Sequence, residues 1–157
     1  MSLLVPYNIE PFSNGLLFIT DAGIEYRIVF EKHTAFYELG YQSFEFSFYP
    51  VGNRTSVFDD RIRTTILKVL KDFSDIYPDS VLLYICDSLD NQARARNILF
   101  NRWFREVAPP DILKFNRKII DTDLDMVYYA AFIFNKLYIA ENVLEPYIDL
   151  EVQNLSK

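Results

Sequence analysis

Tyr84-Ile-Cys-Asp-Ser-Leu-Asp-Asn-Gln-Ala-Arg-Ala-Arg-Asn-Ile-Leu-Phe-Asn-Arg-Trp-Phe104 is the stretch whose reading decides the fold. It follows Val81–Ile85, a short continuous apolar run of the kind found in strands buried on both faces. A polar loop comes next, and then apolar residues at helical spacing. The spacing predicts a helix over 91–107, closed by Pro109-Pro110. At 100° per residue, Ala93, Leu99, Phe100, Trp103, Phe104 and Val107 share one face, while Arg94, Asn97, Asn101 and Arg105 point to solvent. A strand, a loop and a helix in this order define a crossover unit, which favours parallel pairing in the middle of a sheet.

Working outward, Leu16–Thr20 and Ile24–Phe30 flank Asp21-Ala-Gly23, a hairpin signal. Ile24, Tyr26, Ile28 and Phe30 fall on one face of the second strand, with Glu25 and Arg27 on the other. Residues 31–42 read as a loop or weak strand, with His33 at the surface. Phe44, Phe46 and Phe48 alternate with Glu45 and Ser47, so the phenylalanines face a core. Ile62, Ile66, Val69, Leu70, Phe73 and Ile76 then keep helical spacing over 60–77, with Ser56 or Asp59 as the cap. Ile112–Ile120 places Leu113, Phe115 and Ile119 opposite Lys114, Asn116 and Lys118. Asp121-Thr-Asp-Leu-Asp125 is a solvated turn, and Met126–Phe134 returns as a buried strand. Pro146 predicts that the tail from Leu137 to Leu155 is helical in two pieces.

The pattern predicts a single α+β domain over 1–157. Its one mixed sheet comprises an antiparallel meander, central strand–helix crossovers and a C-terminal hairpin, with helices packed on its faces. At 157 residues, 50% hydrophobic, the chain can bury a core without disulfides or metals. Fourteen Phe and eleven Tyr fit strands, and rings also suit contact surfaces.

A net charge of −6 argues against general nucleic-acid binding, which needs clustered Lys and Arg. One Cys excludes an internal disulfide and fits a reducing cytoplasm. The opening Met1-Ser-Leu-Leu-Val-Pro-Tyr7 lacks the basic and apolar parts of a signal peptide. No uncharged apolar run reaches the ~20 residues that span a bilayer. One His and one Cys leave little for a zinc site, and no cofactor is implied.

Arg96 is the residue that packing does not explain. It projects from the apolar face of its helix, with Gln92 at the edge, near an N-terminus whose dipole disfavours a cation. It calls for an anion. Asp87 and Asp90 in the preceding loop, or Asp59 and Asp60 at the start of the earlier helix, would make it a structural ion pair. Alternatively Cys86, Asp87, Asp90, Gln92 and Arg96 form a small anion-binding site at a helix start. The loop lacks the glycines of a phosphate cradle. A Cys-x5-Arg phosphatase loop fails because position 92 is Gln. Cys86 has no local base, so a small buried thiol is the simpler reading. Asp121, Asp123 and Asp125 lack the Gly and distal Glu of a calcium loop. Arg54, Arg61 and Arg63 make a small basic cluster.

Phe46-Ser-Phe-Tyr-Pro50, Asp60-Arg-Ile-Arg-Thr-Thr-Ile66, the segment 84–96 and Phe100-Asn-Arg-Trp-Phe104 together resemble a family of small bacterial proteins of unknown function. The resemblance runs from the first hairpin through the final strand and implies no activity. The element order is also similar to the later part of GNAT-type acyltransferases. There the segment matching Arg54–Arg63 would carry a glycine-rich run for the pyrophosphate of acetyl-CoA. Here it has no glycine and two aspartates, so the similarity implies a shared fold and not the acyl-CoA activity.

These readings favour a non-enzymatic cytoplasmic domain that binds a protein partner or a second copy of itself. The alternative is an atypical acyl- or phosphate-group transferase, or an anion-binding protein, working through residues 86–96.

Overall fold

The computed structural model describes residues 4–52, 59–86 and 93–156. The elements run β1 (Glu10–Phe12), β2 (Gly15–Ile19), β3 (Glu25–His33), a 3-10 turn (Tyr37–Leu39) and β4 (Gln42–Pro50). Then come α1 (Asp60–Ile76), β5 (Ser80–Cys86), α2 (Ala93–Val107), β6 (Ile112–Asp121), β7 (Met126–Asn135) and α3 (Glu141–Leu155). The fold is α+β. Its mixed seven-stranded sheet has the order β1-β2-β3-β4-β5-β7-β6. The chain divides into two compact units, Met1–Glu31 with Phe46–Tyr77, and Lys32–Glu45 with Pro78–Lys157.

In the first unit the β2–β3 hairpin forms where Gly23 predicts it. Gly23 adopts φ 79°, and the turn closes through Thr20 N–H to the Ile24 carbonyl at 2.9 Å. A side chain would be strained at that φ, so glycine is the fitting residue. Tyr26 and Ile28 are fully buried, while Arg27 pairs with Glu25 on the opposite face at 3.0 Å. Phe30 stacks on Phe73 of α1 with ring centres 4.2 Å apart. Ile62, Ile66, Val69 and Leu70 bury the expected face of α1, whereas Ile76 in its last turn is exposed. Lys68–Asp72 and Lys71–Asp75 are four-residue-spaced pairs on the solvent side and contribute little to stability.

Two sequence readings need correction here. The three-residue strand β1, antiparallel to β2, was not anticipated; it is too short to show a period. Of the three β4 phenylalanines only Phe46 is fully buried, with Phe44 and Phe48 half-buried, and so are Glu45 and Ser47 rather than exposed to water.

In the second unit β5 is buried on both faces, as its unbroken apolar run predicts. Val81 and Leu83 join a cluster with Phe36, Ile119, Ala130, Phe132, Phe134, Ile139, Leu144 and Ile148. Tyr84, on the other face of β5, packs its ring 4.7 Å from that of Phe100 in α2. β5 pairs antiparallel with β7, and β7 pairs antiparallel with β6 over ten residues, from Ile112↔Asn135 to Asp121↔Met126. The expected C-terminal hairpin is therefore present, and Leu113, Phe115 and Ile119 face the cluster as predicted.

Four readings change in this unit. β3 extends to His33, so the weak strand is the end of a real one. His33 is half-buried there, not a surface loop residue, and its Nδ1 accepts from Ala35 N–H at 3.2 Å. Asn101 is half-buried and accepts a bond from Lys114 Nζ, rather than lying in solvent. Finally, α3 is one helix that runs through Pro146. The proline removes one backbone bond, but Leu144 and Ile148 on either side are fully buried. Their packing, at several kcal/mol for two large side chains, outweighs the proline's cost of about 3 kcal/mol.

Candidate functional site

The polar side chains that the first unit concentrates lie at the start of α1. Asp59 caps the helix: its Oδ1 accepts from Ile62 N–H at 2.8 Å, satisfying an amide that has no partner within the helix. Its Oδ2 accepts from the Tyr7 hydroxyl at 2.6 Å, a charge-assisted bond. Tyr7 reaches α1 from the segment before β1 and is held at three further points. Its backbone N–H donates to Thr65 Oγ1 at 2.8 Å, its hydroxyl accepts from Asp21 N–H at 3.3 Å, and its ring stacks on Phe18. Thr65 Oγ1 in turn donates to the Arg61 carbonyl at 2.6 Å.

Arg61 closes the arrangement. Its guanidinium lies 3.9 Å from the centre of the Tyr7 ring, donates to the Val5 carbonyl at 2.9 Å and pairs with Asp21 at 3.1 Å. Burial pushes the Tyr7 phenol above its ordinary pKa of 10.0. The bond to Asp59 pushes the same way, and the Asp21 amide pulls against it. Phenol and carboxylate cannot both carry charge cheaply at this separation. A group held protonated in the folded state contributes stability below pH 10, and that stability is lost as pH rises through the raised folded-state value.

Chemically this is a clasp. The carboxylate, the hydroxyls and the guanidinium named here each engage another part of the same unit. The helix N-terminus, which could otherwise attract an anion, already holds the chain's own Asp59 carboxylate. Asp60 is exposed in the first turn, where a carboxylate favours the helix dipole, and its carbonyl accepts from Thr64 Oγ1.

The residues singled out in the sequence fall differently. Asp87, Asp90 and Gln92 lie outside the described residues, as do Arg54 and Ser56. Cys86 ends β5 and Arg96 lies in the first turns of α2, but their side chains are outside the described residues as well. Asp59 and Asp60 sit side by side at the α1 start. Asp121 Oδ1 accepts from the backbone of Asp123 and Leu124, and Asp125 turns the chain at φ 50°, as a solvated hairpin turn requires. Among the described residues no three His, Cys, Asp or Glu side chains come together as a metal site would need.

Three participants were not read from the sequence. The bonds that join Tyr7 to Thr65, Asp59 and Asp21 span 14–58 residues of chain, so no local pattern shows them.

Residues 58–146 match the model of DUF6169, a family of unknown function, and the chain belongs to that family. No curated protein and no solved structure shows significant similarity to it.

Proposed function

We propose that the chain is a non-enzymatic cytoplasmic domain that works by binding a protein partner or a second copy of itself. The outer side of α3 carries this reading. One side of that helix buries Leu144 and Ile148, yet Val143 and Leu150, two turns apart on a neighbouring side, are 42% and 51% exposed. Leu137 and Tyr138, just before the helix, are exposed as well. Apolar side chains placed at helical spacing on an outward face suit a contact surface. The engagement of Asp59 and Arg61 in a clasp supports the non-enzymatic part. No helix among the described residues is long and apolar enough to cross a membrane, and one cysteine in the whole chain suits a reducing compartment.

The test has two arms. Light scattering and capture from a native lysate should reveal an oligomer or a bound protein, and Val143→Asp with Leu150→Asp should abolish it. A monomer that captures nothing, or capture indifferent to those changes, would overturn the reading. In the second arm, nucleotides, CoA and phosphate compounds should leave Tm unchanged. A ligand at a hundredfold excess over Kd would add about 2.7 kcal/mol of stability, which a melting curve resolves.

A further inference from the structure

The described sheet ends at one side in the three-residue β1 and at the other in the ten-residue β6. A long terminal strand presents a row of N–H and C=O groups that another strand can pair with. The register shows which groups these are. Lys136 N–H bonds to the Asp111 carbonyl at 2.9 Å, one step beyond the pair Ile112↔Asn135. In an antiparallel ladder, bonded and non-bonded pairs alternate. The odd-numbered residues of β6 therefore exchange bonds with β7, and the even-numbered ones, Lys114, Asn116, Lys118 and Ile120, aim their backbone groups away from it.

In the middle of that row sits Arg117. Its side chain leaves on the core side of the strand, in line with Phe115 and Ile119, and lies 5.5 Å from the Phe115 ring centre. Its Nε donates to Asp149 at 2.8 Å and its NH2 group to Glu145 at 3.3 Å, both on α3. Its NH1 group turns back to the Asn116 carbonyl at 2.9 Å, one of the outward-aimed acceptors. One guanidinium thus ties α3 to the edge strand and covers the centre of the edge. The planar head of arginine aims its donors in fixed directions toward three separate acceptors, which the compact ammonium of lysine does not reproduce.

We propose that Arg117, held by Glu145 and Asp149, is an edge guard that keeps β6 from pairing with the same strand of a second copy. The flanking lysines act in the same sense. Antiparallel self-pairing centred on Asn116 would set Lys114 opposite Lys118 twice, and like charges directly opposite are destabilising. The guard is independent of the contact surface proposed on the outer side of α3.

The test compares the full chain with Arg117→Leu by sedimentation across concentration, together with hydrogen exchange at the Lys114, Asn116, Lys118 and Ile120 amides. The expected result is that Arg117→Leu associates at a concentration at least tenfold lower than the unsubstituted chain and gains protection at those amides. Arg117→Lys, which keeps the charge but not the fork, should fall between them. The double substitution Glu145→Gln with Asp149→Asn releases the guanidinium without touching β6 and should also promote association. If Arg117→Leu fails to fold, this double variant decides the question. Folded variants that associate no more than the unsubstituted chain, or an unsubstituted chain already protected at those amides by self-association, would overturn the proposal.

Discussion

Phe132→Ala should lower the unfolding free energy by about 3–5 kcal/mol, the usual cost of removing a buried aromatic ring. Phe132 is fully buried in β7, meets Phe36 edge-on with ring centres 6.0 Å apart, and belongs to the cluster that β5, β6, β7 and α3 share. Truncation leaves a cavity among β-strands whose register is fixed over many residues, so little collapse can fill it. Urea denaturation measures the loss. Phe132→Leu, which keeps most of the volume, should cost much less. A loss below about 1 kcal/mol for the alanine variant would mean that the ring is not close-packed.

Gly15→Ala should cost about 3 kcal/mol, at the upper end for overpacking, because the obstruction is backbone. A Cβ at Gly15 would lie 2.2 Å from the Ile28 carbonyl oxygen and 3.2 Å from a Phe12 ring carbon. Gly15 pairs with Phe12 in β1 and Val29 in β3, so neither side can yield without disturbing a ladder. Gly23→Ala makes the contrast. Nothing lies within 4 Å of its Cβ position, and only the left-handed backbone penalises it. That change should cost about 1 kcal/mol. Equal losses at the two glycines, measured by the same denaturation, would contradict the steric account of Gly15.

Much of the fold was legible because each element's apolar pattern matches the faces it buries, one for α1 and β6 and both for β5. α1 showed its stripe at helical spacing, β6 showed alternation through Leu113, Phe115 and Ile119, and β5 showed an unbroken apolar run. What stayed hidden was of other kinds. β1 has three residues, too few for a period. Pro146 suggested a break because local rules do not see Leu144 and Ile148 anchoring the helix on both sides of it. The clasp joins residues far apart in sequence, so only Asp59, a cap by position, could be foreseen.

Arginine placement was the most instructive signal. A guanidinium on a core-facing side must find carboxylates, and Arg117 does so. It stands at an odd position of β6 between Phe115 and Ile119 and meets Glu145 and Asp149.

The polar cluster at the start of α1 is a structural clasp. Unfolding free energy measured against pH for the unsubstituted chain and Tyr7→Phe tests this most directly. The clasp predicts that Tyr7→Phe costs about 1.5–3 kcal/mol at pH 8, the worth of a bond to a charged acceptor. It also predicts that the gap narrows above pH 10, as ionisation of the phenol removes its contribution from the unsubstituted chain. A Tyr7→Phe variant as stable as the unsubstituted chain at pH 8, or a gap that stays constant as pH rises, would contradict it.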